Sequence, residues 1–338
     1  MAAEQTVQLK PEAGKQDPAI AAPHLKPHTK RKHNGSLSSS IPLYLMLLPG
    51  LAVLLFNNYL PMIGVILPFK DYQFNGDFLS SLFGSPWSGF KNFEYLFISG
   101  DAVHSMVNTI LYNIVFISLD AIVPVALAIA MSEMWSKHLG NFYQSAMFLP
   151  YFISWVAVSY IVYAFFVSGD GFINSTLLKG LGLPDINFYA EPGKWPVILT
   201  FFHLWKYTGY NLIVYIAALS GINGEYYEAA ELDGASKWQQ VKYITLPMLK
   251  TTIVILTLLA VGRIFNGDFD LFFNVPRNTS ILYPTTEVLD TYVYNCLMRL
   301  ADTPMSAAAG IFQAVVGCVV VISANAVVNK VDKESALF

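Results

Sequence analysis

Between Pro196 and Ile222 runs a segment apolar enough to sit in lipid, yet within nine residues it carries His203, Lys206, Tyr207, Tyr210 and Asn211, with Trp205 among them. Charge in hydrocarbon costs several kcal/mol, so such residues mark either pairing or a pathway. Asp120 falls near the centre of a second apolar segment, Arg263 toward the end of a third, and Gln313 and Asn325 in a fourth. Aromatic rings offer apolar faces to sugar C–H groups, while imidazole, amide and phenol tips hydrogen-bond hydroxyls. His203, Lys206, Tyr207, Tyr210, Asn211 and Arg263 therefore read as the lining of a polar path near mid-membrane, where transporters hold substrate. Gln313 and Asn325 stand second, because Gln and Asn also tie helices together. The competing structural reading is an Asp120–Lys206 ion pair joining two helices, with the rings merely packed. If Lys206 and Arg263 face the path, uronate-containing sugars become suitable cargo.

Catalytic patterns are missing from the sequence. A phosphate loop would need Gly-x-x-x-x-Gly-Lys-Ser/Thr, but Gly193-Lys194 is followed by Trp195 and Phe188 stands where the first glycine belongs. No His-x-x-Glu-His or Cys-x-x-Cys occurs and His203 is alone in its segment, so no metal site is expected. No Gly-x-Ser-x-Gly elbow is present either. Asp268 and Asp270 are the acidic residues a membrane enzyme would have to use. Cys296 and Cys318 provide no disulfide framework.

The elements that must position these residues are membrane spans. The 338-residue chain is 54% hydrophobic and only 13% charged, against about a quarter charged in soluble domains. Runs of roughly twenty apolar residues predict six helices, at 43–65, 105–131, 142–167, 196–222, 249–265 and 305–328. Pro49, Pro61, Pro124 and Pro150 lie inside them as kinks. Residues 1–40, with the basic run Lys30-Arg31-Lys32-His33, are expected to be a disordered cytoplasmic tail. No apolar stretch precedes residue 41, which predicts no cleavable signal peptide and a first span that serves as its own insertion signal. With both termini inside, the inner segments hold 12 Lys/Arg against 10 acids and the outer loops 6 against 12. That bias satisfies the positive-inside rule. The outer connectors 67–104, 168–195 and 266–304 are long and rich in aromatics, including Trp87, Phe90, Phe93, Tyr95 and Phe97, so they are expected to be ordered. Asn174-Ser-Thr and Asn278-Thr-Ser match the glycosylation pattern only by its shortness. The net charge of −3 argues against nucleic acid as a partner.

One polar island of some twenty residues stands between apolar runs on the predicted cytoplasmic side. Ala229, Ala230 and Leu232 suggest a short amphipathic helix with Glu228 in its first turn, where a carboxylate suits the helix dipole. Gly234 would end it in the left-handed conformation. Trp238, Val241 and Ile244 then recur at helical spacing, and Pro247 is expected to break the run. A small Ala-rich knob followed by a glycine turn lets another protein's backbone approach closely.

Glu228-Ala229-Ala230, Gly234 and Ile244-x-Leu246-Pro247 at this spacing resemble the EAA loop of ABC-importer permeases. Pro86-Trp-Ser-Gly-Phe-Lys-Asn-Phe93 is similar to the signature that follows the first span of sugar permeases. Phe148-Leu-Pro-Tyr-Phe-Ile-Ser-Trp155, Gly310-Ile-Phe-Gln-Ala-Val-Val-Gly317 and the terminal Ser-Ala-Leu-Phe338 resemble the LplB-like polysaccharide and oligosaccharide permeases. The resemblance covers nearly everything from residue 40 onward. It departs at Thr251, where many sugar permeases have proline; that touches the next helix rather than the knob.

The resemblance implies an all-α polytopic protein of the type I ABC importer fold, with six spans, both termini cytoplasmic, an added first helix with its outer loop (41–104), and a five-helix core (105–330). Loop 222–248 would dock onto an ATPase subunit through Glu228, Ala229, Ala230, Asp233, Gly234, Ile244, Leu246 and Pro247. A second, different permease chain, an ATPase dimer and an extracytoplasmic binding protein would complete a bacterial inner-membrane importer of oligosaccharides. ATP and Mg would lie on the ATPase, leaving no cofactor on this chain. The other readings are a permease for a non-sugar solute, a secondary transporter and a membrane enzyme.

Overall fold

The computed structural model describes residues 37–98, 100–134 and 136–331. The expected tail through residue 36, its basic run and the terminal Ser-Ala-Leu-Phe338 lie outside them. The chain divides after Leu60 into two units. In the first, helix α1 (Leu37–Leu54) continues as a π-turn over Leu55–Tyr59, and from Ile41 onward its Leu, Met, Phe and Tyr side chains stand exposed. Residues that apolar form a helix because lipid offers the backbone no other hydrogen-bond partner.

The second unit is helical throughout. Among the described residues it contains no strand, only two isolated bridges, Lys70–Trp87 and Asn75–Asp77. After a 3₁₀ stretch to Phe69 come the short helices α2 (Phe78–Gly84) and α3 (Lys91–Ile98), then the long α4 (Gly100–Ser132). Helices α5 (Lys137–Phe148) and α6 (Trp155–Phe166) are separated by the 3₁₀ turn Leu149–Phe152. They meet at 99°. The single kinked span expected over 142–167 is therefore a broken one: beyond Pro150 the backbone becomes extended at Ile153 and Ser154, and Ser154 restarts the helix by accepting from Ala157 N–H.

Helix α7 (Trp195–Ser220) leads to α8 (Glu225–Leu232), α9 (Lys237–Gln240) and α10 (Leu246–Val261). Pro247 does not break the chain there. Residues Lys237–Val261 form one helix, because the π-turn Val241–Thr245 lets Leu246 N–H bond to the Val241 carbonyl just before the proline. Helices α11 (Phe269–Asn274), α12 (Tyr283–Thr286) and α13 (Leu289–Met298) fill the next connector, and α14 (Thr303–Val331) closes the fold. The long connectors are ordered, as their aromatics predict. Asn174 has nothing to do with a glycan: fully buried, it clamps its loop by bonding the Val167 and Ile186 carbonyls and the Ile186 amide.

By length and composition, four helical stretches among the described residues can cross a membrane: Ile41–Phe69, Gly100–Ser132, Lys237–Val261 and Thr303–Lys330. The bent α5–α6 pair makes a fifth if it counts as one span. Helix α7 has 26 residues, about 39 Å at 1.5 Å per residue, which is long enough, but it is more polar than the others.

Helix α4 packs along α7, which also takes α5; α13 packs on α14, and α10 touches α4, α7 and α14. At the crossing of α5 and α7 the backbones themselves meet. A Cβ on Gly209 would lie 2.0 Å from the Met147 carbonyl oxygen, so only glycine fits. One core gathers Trp155, Trp195, Phe188, Phe272 and their neighbours; a second, toward the α8 end, gathers Val125, Leu212, Tyr215 and Leu249.

Candidate functional site

Two regions of the second unit carry the residues that the sequence singles out. The first is a cavity of about 690 Å³ between α4, α7 and the end of α10. Helix α7 contributes His203, Tyr207, Tyr210 and Asn211; α4 contributes Asn113, Phe116 and Asp120; Arg263 and Asp268 close it. The His203 ring lies flat on Phe116, with centroids 3.8 Å apart, and its Nε2 donates to Asp120 Oδ2 at 3.0 Å. Their other polar atoms, Asp120 Oδ1 and His203 Nδ1, are buried without a partner. Tyr207 donates its hydroxyl to Asp268 Oδ2 at 2.9 Å, while Asp268 Oδ1 caps α11 through Leu271 N–H. Asp268 is thus a helix cap and a tyrosine acceptor. Asn113 donates to the carbonyls of Ile264 and Asn266, holding the end of α10 beside the cavity.

Five of the predicted path residues, His203, Tyr207, Tyr210, Asn211 and Arg263, share this cavity. Lys206 and Gln313 do not line it. Lys206 is buried, and its ammonium donates to the carbonyls of Pro150 at 3.4 Å, Tyr151 at 3.2 Å and Ile153, with the Trp155 ring 5.1 Å away. The Asp120–Lys206 ion pair is therefore replaced by an Asp120–His203 pair, and Lys206 instead donates to backbone carbonyls at the α5–α6 break, of which that of Pro150 also accepts from Ile153 N–H. A buried carbonyl left unpaired there would cost about 1–3 kcal/mol. Gln313 donates to the Phe265 carbonyl at 2.8 Å and to Asp290 Oδ2 at 3.1 Å, binding α14 to the connector after α10. Asn325 is buried on α14.

Tyr151, like Asn113 and Phe116, is a lining residue that sequence reasoning missed. It comes from the break rather than from a helix, and its ring stacks on Tyr210, with centroids 4.8 Å apart and planes at 16°. Pro150 and Ser154 around it signal a chain interruption, but not which way the ring turns.

The second region is α8 and its flanks. Glu225 and Glu228 lie in the first turn, and Asn223 Oδ1 accepts from Glu225 N–H at 3.1 Å. The far end is a Schellman cap: Ala235 N–H donates to the Ala230 carbonyl at 2.9 Å and Gly234 N–H to that of Glu231 at 3.0 Å, with Gly234 at φ +80°. Space around Gly234 is open, so its demand for glycine is conformational. Ser236 and Gln239 then form a capping box for α9. Lys237 bonds Glu231 at 2.7 Å and reaches Glu133 at the end of α4, at 3.8 Å. The Lys237 hydrogen bond holds the Glu231 carboxyl below its ordinary range. Tyr227 is tied to Thr245 at 3.0 Å.

These ties turn Tyr227 and Ala230 inward and leave Glu228, Ala229, Leu232 and Asp233 outward. Leu232 is 90% exposed and Trp238 73%. Ile244 is half-buried, and Leu246 and Pro247 are exposed at the start of α10.

A helical bundle with a broken span, an open cavity bearing His, Asp, Asn and Arg side chains, and a helical knob beside it suits a membrane transport subunit. The sequence over residues 122–333 matches the family of binding-protein-dependent transport system inner membrane components. The chain is also 32% identical to protein LplB of Bacillus subtilis, over 86% of this chain and 90% of that protein. It is 31% identical to the polygalacturonan/rhamnogalacturonan transport system permease YteP of the same organism, over 94% and 97%. Among solved structures, it superposes on a chain of a bacterial ABC transporter that imports the acidic polysaccharide alginate, with a TM-score of 0.78, 32% identity and coverage of 88% and 98%. It superposes equally, at a TM-score of 0.78, on a chain of a bacterial alginate ABC transporter solved in complex with alginate pentasaccharide-bound periplasmic protein. The chain belongs to the family of binding-protein-dependent ABC importer permeases: it is a multi-pass membrane transport subunit with the type I fold, not an enzyme.

Proposed function

We propose that this chain is one of two permease subunits of an oligosaccharide importer in a bacterial inner membrane, and that the cavity between α4, α7 and α10 is its share of the substrate path. The observation that carries this reading is the cavity wall. A stacked tyrosine pair offers a platform for a sugar ring, and hydrogen-bonding groups on Asp120, His203 and Asn211 surround it. Uronate-containing chains are the favoured cargo. The named relatives handle polygalacturonan and alginate, and Arg263 is among the residues lining the same cavity. The two carboxylates on the wall are engaged within the chain, Asp120 with His203 and Asp268 with Tyr207.

In this reading α8 docks on an ATPase subunit that holds ATP and Mg, a different permease chain supplies the opposite wall, and an extracytoplasmic binding protein delivers the sugar. With α7 counted, the chain crosses the lipid six times and both termini are cytoplasmic. The chain works by alternating access, contributing contacts that differ between the two states rather than chemistry. The test is reconstitution with the partner permease, the ATPase and the loaded binding protein in proteoliposomes. ATP-dependent uptake of trigalacturonate or alginate pentasaccharide well above that of maltotriose is expected. Equal uptake would remove the acidic preference, and failure of an ATPase subunit to co-purify would remove the coupling role.

A further inference from the structure

The geometry points to Lys206 as a positioning residue for the sugar path: by gripping the broken span it sets the Tyr151 ring against Tyr210 as the platform on which a sugar ring stacks. This rests on the reading of the cavity given above, and it deepens it. Neither residue of the pair can form the platform alone. Tyr210 rides on the regular helix α7, whereas Tyr151 belongs to the short 3₁₀ turn between α5 and α6, which is closed by Ile153 N–H to the Pro150 carbonyl at 3.1 Å. What ties that turn to α7 is a cation. Lys206 has three N–H donors, and they meet three carbonyls, those of Pro150, Tyr151 and Ile153. One of these is the carbonyl of Tyr151 itself, so moving the ammonium moves the residue that bears the ring.

Two further observations make this a built arrangement. Lys206 is buried at 6% exposure and touches the Trp155 ring, so its charge is committed to the protein and faces no path. One turn along α7, Gly209 brings the backbone of α5 so close that Met147 lies at van der Waals limit. The segment leading into the break is therefore clamped by glycine, and the break itself is held by lysine. Tyr151 also meets Tyr207 edge-on, at 6.2 Å between centroids, so three tyrosines form one wall: two placed by α7, the third placed by Lys206.

The experiment is a double-mutant cycle on the assembled importer, with K206M, Y151A and the double variant, using alginate pentasaccharide and trigalacturonate as probes. Each single change should weaken sugar binding to the detergent-purified complex roughly tenfold. The double variant should fall within about twofold of Y151A alone, because residues that act through one another are not additive. A second readout follows the ring position directly. In a Cys318→Ala background, with Cys296 buried, the labelling rate of Y151C by a water-soluble maleimide should change when Lys206 becomes Met. K206Q, which keeps two donors, replaces K206M in both arms if K206M does not insert. Multiplying single effects, or a labelling rate indifferent to residue 206, would overturn the inference. If Y151A itself leaves binding of both sugars unchanged, the cavity reading fails instead, and the labelling arm still decides whether Lys206 places residue 151.

Discussion

Two helical stretches of this protein contain a proline next to an irregular turn, and they end differently. Around Pro150 the chain turns by 99° between α5 and α6; around Pro247 it runs on as one helix from Lys237 to Val261. Proline removes one donor and crowds the preceding turn in both places, so proline does not decide the outcome. The two places differ in how the backbone around the irregular turn is satisfied. At Pro247 the π-turn Val241–Thr245 re-bonds the ladder from within. At Pro150 the chain soon becomes extended, at Ile153 and Ser154; the carbonyls around the turn go to the Lys206 ammonium, while Ser154 caps the new helix. The consequences suit the two places. The bent stretch offers Tyr151 to the cavity, and the unbroken one leads from the exposed knob region directly into the bundle.

The largest effect should come from the clamp beside the bend. Gly209→Val would place a branched side chain where the Met147 carbonyl oxygen stands 2.0 Å from a mere Cβ. Forcing α5 away from α7 costs about 3 kcal/mol or more and should abolish assembly of a monodisperse complex, as read by size-exclusion chromatography after solubilisation. A stable, correctly assembled variant would mean that the two helices are free to separate, and the bend would then lack its anchor.

Gly234 provides the contrast, because open space surrounds it and its φ of +80° is what demands glycine. Gly234→Val should cost only about 1–2 kcal/mol, the penalty for a side chain in the left-handed region, and the protein should still insert and assemble. The Schellman cap of α8 would be lost, so transport and ATP hydrolysis stimulated by loaded binding protein should fall together. Normal stimulation in that variant would detach α8 from the coupling role, whatever the state of the cavity.

The same contrast explains what can be read from the sequence. The end of α8 is legible because its logic is local: Gly234 closes a cap whose bonds, to the Ala230 and Glu231 carbonyls, span at most five residues. The α5–α6 break is legible only as a kink, since its stabilising cation lies 53 residues beyond Ile153. Partner choice inside the bundle is equally hidden. His203 and Lys206 are three residues apart on one helix face, and nothing in their order says which of them meets Asp120. Packing of α4 against α7 decides it. Gln313 resembles a path residue because an amide in an apolar run has two uses, and its neighbours across the fold choose the structural one. Pro247 misleads because a π-turn leaves no mark in composition.

A smaller effect is expected at the restart of the broken span. Ser154→Ala removes the side-chain acceptor for Ala157 N–H, held at 3.3 Å, and should cost about 1 kcal/mol. The melting temperature of the detergent-solubilised complex should drop by a few degrees while sugar binding stays near normal, because Lys206 still holds Tyr151. Sugar binding lost in proportion to stability would show that the cap, and not the cation, sets the platform.

The smallest effects belong to the prolines themselves. Pro247→Ala restores one N–H to a helix that is already continuous, so stability should change by less than about 1 kcal/mol and transport should persist. Pro150→Ala should likewise leave the bend in place, because the extended residues after it, the Ser154 cap and the three Lys206 bonds all remain. Spin labels replacing Phe142 and Ile161, exposed residues on α5 and α6, report the bend through their separation. That distance should be the same with proline or alanine at position 150 and should change when Lys206 becomes Met. If the proline variant straightens the pair while the lysine variant leaves it bent, the cause of the break is steric, and the difference between the two proline sites must be sought in the rings' own contacts rather than in how the backbone around the turn is satisfied.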